Sequence, residues 1–141
     1  MKILSFLCNW CSYAGADLAG TSRIQYPATN RVIRVPCSGR VNPFFIFTAL
    51  QAGYDGVLVS GCHPGDCHYL TGNYHARRKF NVIQELLSFV GIAEARVRFS
   101  WVSASEGKKF AEVITKVTEE LKPIEKQNSK LKKVDFYKPI D

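Results

Sequence analysis

A chain of 141 residues with a formal charge of +7, 46% hydrophobic and 22% charged, has the size and composition of one globular domain. That balance excludes a disordered or fibrous chain, and the longest apolar stretch, Pro43 to Leu50, falls far short of the roughly 20 residues that cross a bilayer. The basic residues are dispersed outside the C-terminal segment and accompany no recognition motif, so an acidic protein suits the charge better than nucleic acid does.

Lys2 to Leu7 reads as a first strand. Met1 to Leu7 is too short for a secretory signal and lacks a cleavage region, so the protein is expected in the cytoplasm. Cys11 to Ile24, with Tyr13, Ala14, Asp17, Leu18 and Ala19, is compatible with a short helix that Gly15 and Gly20 weaken. Arg31-Val32-Ile33-Arg34-Val35 is a second strand, closed by Pro36 and Cys37. After a turn at Ser38-Gly39-Arg40, Pro43 opens a helix through Phe44 to Ala52, with Gly53 as its stop. Gly56-Val57-Leu58-Val59-Ser60 is the nearly continuous apolar run of a strand buried on both faces.

A loop of Cys, His, Gly and Asp follows. Beyond it, from about Asn73 to Val90, a helical stripe of Phe80, Ile83, Leu86, Leu87 and Val90 ends at Gly91. Arg96 to Val102 is a fourth strand. Ser103-Ala104-Ser105-Glu106 then has capping-box spacing before a helix with Phe110, Val113, Ile114, Val117 and Leu121 on one face. Strands alternating with helices predict an α/β domain, a flavodoxin-like four-stranded parallel sheet with helices on both faces. Residues 1–121 form this expected α/β domain, and residues 122–141 a basic C-terminal extension whose Val134, Phe136 and Tyr137 are candidate anchors.

Five cysteines punctuate the strand ends: Cys8 and Cys11, then Cys37, then Cys62 and Cys67. The carboxyl ends of neighbouring parallel strands face one crevice, so these thiols are expected to converge on a metal centre there. The cytoplasm is reducing and the count is odd, which favours metal ligands over disulfides. By spacing, the C-x2-C and C-x4-C pairs each hold one iron of a two-iron cluster and Cys37 is the spare. Cys37 also stands at a strand end, so a set using it with one member of each pair remains open, and all five are candidate ligands.

Around the sulfurs, Gly39, Gly61 and Gly65 permit close backbone approach, Arg40 offers positive charge, and His63 and His68 offer hydrogen bonds. The histidine spacing is not that of a mixed His and Cys cluster. The loop after the first strand, Cys8 to Tyr13, is no phosphate cradle, so no flavin is assigned to this chain. Two other readings use the same thiols. One is a zinc-stabilised structural adaptor that docks larger subunits. The other is a dithiol oxidoreductase working through Cys8 and Cys11.

Three blocks carry a resemblance. They are Cys8-Asn9-Trp10-Cys11-Ser12-Tyr13-Ala14-Gly15-Ala16-Asp17-Leu18-Ala19-Gly20, Val35-Pro36-Cys37-Ser38-Gly39-Arg40 and Gly61-Cys62-His63-Pro64-Gly65-Asp66-Cys67-His68-Tyr69. Together with Trp101-Val102-Ser103-Ala104-Ser105-Glu106-Gly107, they are similar to the delta subunits of methyl-viologen-reducing hydrogenases, over about residues 1–121. The resemblance implies a non-catalytic iron-sulfur subunit with one 2Fe-2S cluster on cysteines from the five named. Its expected partners are a nickel-iron hydrogenase small subunit, or a formate dehydrogenase, and the flavin-containing subunit of heterodisulfide reductase. The implied role is to relay electrons between them in methanogenic energy metabolism.

Overall fold

The computed structural model describes residues 1–128. Two strands, β1 (Ile3–Cys8) and β3 (Gly56–Gly61), are buried at every position, as continuous apolar runs are when both faces of a sheet are covered. They pair in parallel through the middle of the sheet, with Ile3 opposite Gly56. β2 (Asn30–Val35) adds in parallel to the free side of β1, and β4 (Val97–Trp101) to that of β3. The strand order is therefore β2-β1-β3-β4. It matches the first four strands of the flavodoxin-like arrangement, whose winding reverses between β1 and β3.

Side chains alternate between the two faces along each strand. Ile3 and Leu7 join Leu58 under α1 (Ser12–Thr21) and α4 (Gly107–Asn128), packing on Ala19, Phe110 and Ile114. Leu4 and Phe6 join Val57 and Val59 under α2 (Pro43–Gln51) and α3 (Gly72–Phe89), packing on Ile46, Ala49, Ile83 and Leu87. The expected elements are all present, and helices cover both faces. None of the described helices is long and apolar enough to cross a membrane.

The helix boundaries follow local chemistry. The Asn42 side chain accepts the Phe44 N–H at 2.9 Å and Pro43 occupies the first turn of α2. Gly53 and Gly91, with φ of +88° and +74°, end α2 and α3. α1 stops at Thr21, short of the expected Ile24, because the backbone turns left-handed at Arg23 with φ of 54°. Gly15, which weakens that helix, is needed where it lies: a Cβ there would stand 2.7 Å from the Ser103 carbonyl oxygen. α4 continues through Pro123 to Asn128. Residues 129–141 of the expected extension, with Val134, Phe136 and Tyr137, lie outside the described residues.

At the start of α4 the Glu106 carboxylate accepts the Ser103 N–H at 2.8 Å, the reciprocal half of a capping box. The Ser103 amide, and next the His63 imidazole 2.7 Å away, hold the Glu106 carboxyl down from the usual 4.5 to about 2. A pKa lowered by folding adds stability above the unfolded value, and the gain is lost as pH falls through the folded one. Glu106→Gln is therefore expected to cost about 1 kcal/mol near neutral pH. Urea midpoints should show this gap closing between pH 4.5 and about 2; a gap that persists in acid would refute the assignment.

Candidate metal centre

The parallel register brings the cysteine-bearing loops to one level. Cys8 ends β1 opposite Val35 of β2, while Gly61 ends β3 one residue before Cys62. The Sγ atoms of Cys8 and Cys62 stand 3.5 Å apart, and those of Cys37 and Cys67 stand 4.0 Å apart. Cys11, at the N-terminus of α1, shares a hydrogen bond with the Cys62 thiol and feels the charges of Cys8, Asp66 and Cys67. All five cysteines are unbridged, four of them buried and Cys11 partly so.

The convergence expected from the strand ends is present, but its grouping differs from the one read from spacing. Each close pair joins sulfurs from different loops, because adjacent strands bring Cys8 beside Cys62; Cys11, at the N-terminus of α1, meets the same Cys62 thiol rather than Cys8 alone. Cys37, the spare by spacing, has a close partner in Cys67, and Cys11 stands outside the two pairs. Among the described residues no three thiol, imidazole or carboxylate groups surround one point as a single-ion site requires.

The thiols differ in their electrostatics. Burial pushes Cys62 up, and the neighbouring Cys11 and Cys8 thiols add to that. Burial also raises Cys11, against the hydrogen bond from Cys62, and it raises Cys37, against the Gly39 N–H. At Cys67 burial acts in the same direction but is outweighed. The N–H groups of Asn73 and Tyr69, the Cys37 thiol and the Gly72 N–H hold this thiol below its ordinary value. Amides at the start of an 18-residue helix, α3, thus stabilise negative charge on this sulfur.

The same helix fastens the loops. Asn73, fully buried, donates to the Cys62 carbonyl at 3.1 Å and the His63 carbonyl at 2.7 Å. Lys79 donates to the Gly39 carbonyl at 2.7 Å and the Val41 carbonyl at 3.4 Å, holding the turn after Cys37. Gly72 has to be a glycine, since a Cβ there would collide with the Cys37 sulfur. On the other side, Cys8 accepts the Ser12 N–H at 3.3 Å, and the buried Ser12 hydroxyl accepts from Ser60 at 3.0 Å. Sequence reasoning misses Ser12, Ser60, Gly72, Asn73 and Lys79. The only signal for them is that Ser12 follows Cys11 and that Gly72 and Asn73 open a helix near Cys67.

The other expected neighbours divide. Gly39 directs its N–H to Cys37, Gly61 admits the Ser38 hydroxyl against the strand, and Gly65 takes a φ of +90° in the turn between Cys62 and Cys67. His63 is engaged by Glu106, with Lys109 at 3.3 Å from the same ring nitrogen. His68 stacks on Trp10 with ring centroids 3.6 Å apart, joining the two cysteine loops from outside. Arg40 is exposed on the Cys37 side.

Residues 3–125 match the family described as FlpD, methyl-viologen-reducing hydrogenase, delta subunit. The chain is 57% identical over 114 residues to the iron-sulfur subunit of the F420-non-reducing hydrogenase of Archaeoglobus profundus, covering 81% of this chain and 83% of that protein. It is 50% identical over 121 residues to the iron-sulfur subunit of the vhc F420-non-reducing hydrogenase of Methanococcus voltae, covering 86% and 84%. It is also 48% identical over 131 residues to a subunit of the ferredoxin:CoB-CoM heterodisulfide reductase of Methanosarcina mazei. That match takes in 93% of this chain but only 16% of the relative, so this chain resembles one segment of a much longer protein. The chain belongs to the delta-subunit family of methyl-viologen-reducing hydrogenases.

Proposed function

We propose that this chain is an electron-relay subunit that holds one 2Fe-2S cluster. The observation that carries this reading is the pairing of sulfurs at 3.5 and 4.0 Å. Two thiolates about 2.3 Å from one tetrahedral metal stand about 3.8 Å apart, so the pairs have the spacing wanted at two neighbouring tetrahedral metals. Cys8 and Cys62 would hold one iron, Cys37 and Cys67 the other, and Cys11 is the fifth thiol. The donor set fits, because thiolates are the usual ligands of such clusters. A single zinc ion would need four donors around one centre, and the paired arrangement favours the two-iron reading.

When bound, the cluster supplies a one-electron couple. The chain's own part is to hold charge and exclude water. The Gly39 amide on Cys37 and the Tyr69, Gly72 and Asn73 amides on Cys67 stabilise negative sulfur, while Cys8 and Cys62 are buried at the ends of β1 and β3. Thiols raised by burial must lose their protons to ligate, so cluster assembly releases protons and weakens in acid.

The relatives' names supply the context. Two of the similar proteins are iron-sulfur subunits of F420-non-reducing hydrogenases, and a similar segment lies within a longer heterodisulfide reductase subunit. That context agrees with the donors the family resemblance implies, a nickel-iron hydrogenase small subunit or a formate dehydrogenase, from which the chain would take electrons. It passes them to the flavin-containing subunit of heterodisulfide reductase, in the cytoplasm of a methanogen-type metabolism. No flavin is assigned to this chain.

Anaerobically prepared protein is expected to be silent in electron paramagnetic resonance when oxidised and to give a spin-one-half signal after dithionite. Metal-loaded protein silent in both states would favour zinc. Cys11→Ser should keep its iron, whereas serine at Cys8, Cys37, Cys62 or Cys67 should lose most of it; iron retained equally in all five variants would overturn the ligand assignment. Gly72→Ala, which forces the Cys37 sulfur aside, is expected to weaken cluster retention by about 10–100-fold, read as bound iron after a chelator challenge. Unchanged retention would mean that Cys37 is not held by the cluster.

A further inference from the structure

Two buried serine hydroxyls lie between Cys8 and the end of β4. Ser12 opens α1 and Ser60 lies in β3, and neither is exposed. The helix reaches this place because Gly15 lets α1 close on the chain after β4, where a Cβ would stand 2.9 Å from Val102 Cγ1. A hydroxyl at the end of the apolar run Gly56-Val57-Leu58-Val59 costs desolvation energy unless it is hydrogen-bonded. Ser60 has two acceptors for its one hydrogen, the Ser12 hydroxyl at 3.0 Å and the Ser100 carbonyl at 3.2 Å.

A hydroxyl carries one hydrogen and two lone pairs. Around Ser12, the Ser60 hydroxyl and the Cys8 thiol stand as donors, the thiol at 3.6 Å, and the Val102 carbonyl at 3.4 Å is the acceptor. That set is complete for a protonated sulfur. A sulfur that has exchanged its hydrogen for metal can only accept. Two acceptors then compete for the one Ser12 hydrogen. The negative sulfur prevails over the long contact to Val102, because hydrogen bonds to charged acceptors are about twice as strong as neutral ones. Ser60, donating to Ser12 from behind, polarises that hydroxyl and strengthens its donation. The Ser12 amide already points at the same sulfur, at 3.3 Å.

We propose that Ser60 and Ser12 form a buried hydroxyl chain that turns toward Cys8 when its sulfur ligates the cluster, so that Ser60, which does not touch the sulfur, tunes the cluster's reduction potential through Ser12. The proposal rests on the electron-relay reading for the cluster. Ser12 is the donor to sulfur, and Ser60 is a positioning residue that orients and polarises it. Each hydrogen bond to a ligating sulfur favours the more negative, reduced cluster and raises its potential. Cys8 thus gains hydroxyl donation where Cys67 has the amides of α3.

The test is a potentiometric titration of anaerobically prepared, full-length protein followed by paramagnetic resonance. Ser12→Ala is expected to make the cluster about tenfold harder to reduce, a fall of about 59 mV. Ser60→Ala should move the potential in the same direction but less far. The double variant should match Ser12→Ala alone, because Ser60 acts only through Ser12. Each single variant leaves the remaining hydroxyl a carbonyl partner, Ser100 for Ser60 and Val102 for Ser12, so both fold. Ser5→Ala removes a different buried hydroxyl of β1, bonded to Asn30 at 2.6 Å, and should leave the potential unchanged. A parent-like potential in Ser60→Ala, additive shifts in the double variant, or an equal fall in Ser5→Ala would each overturn the proposal. The S–H stretching band of Cys8 in reduced, metal-free protein, assigned by its loss in Cys8→Ser, needs no cluster. It is expected to move in Ser12→Ala and, by less, in Ser60→Ala. If the parent binds no cluster but the band moves in both, the electron-relay reading falls and the hydroxyl chain stands. A band unmoved by Ser60→Ala refutes the chain itself.

Discussion

The parallel pairing of β1 with β2 on one side and β3 on the other is the constraint on which the centre depends. With Cys8 opposite Val35, and Leu7 opposite Ser60, the three cysteine-bearing loops leave the sheet within about one residue of the same level. A one-residue slip of β1 would turn Cys8 to the other face and exchange Leu7 for residues that belong under α2 and α3. The two apolar cores guard against that slip, since each strand position is claimed by a particular face. Packing energy thereby sets sulfur position, although no cysteine provides much of that energy.

Once assembled, the sulfurs sit in an environment that opposes their charged form. Burial raises Cys11, Cys37 and Cys62, and only Cys67 has enough amide donors to come down. Buried thiols this near to one another would release protons if they ligated the proposed cluster. Burying sulfur is costly for the thiolate, and the compensation is a dry site where hydrogen bonds from backbone and serine act with little screening. The arrangement is asymmetric: the Cys37 and Cys67 side is rich in amides and bordered by basic residues, while the Cys8 and Cys62 side lies deep against β1, β3 and Ser12.

α3 links these properties. Its first turn supplies amides to Cys67, the buried Asn73 holds the carbonyls of Cys62 and His63, and Lys79 holds those of Gly39 and Val41. Two loops far apart in sequence are therefore referenced to one rigid element rather than to each other. A loop-borne site gains positional accuracy from such anchoring. The same helix lines a cleft beside Cys37 through Gly72 and His75.

Much of this is legible in the residues themselves. The alternation of strands and helices, the glycine stops at Gly53 and Gly91, and the buried character of β3 follow from hydrophobic period and backbone chemistry, which act locally. The presence of all five cysteines at strand ends, and hence their convergence, follows from the rule that parallel strand ends face one crevice. Their pairing does not. Spacing groups Cys8 with Cys11 and Cys62 with Cys67, yet neighbours in a sheet are decided by strand order, which places Cys8 by Cys62 and leaves Cys67 to meet Cys37. Ser12, Asn73 and Lys79 are hidden for the same reason: an ordinary serine, asparagine or lysine becomes a fastening only when folding carries it to a distant carbonyl or thiol. Local residue pattern is enough to specify which elements form and that thiols gather at one edge. Which sulfur faces which is settled only when the strands assemble, because that depends on distances between segments remote along the chain.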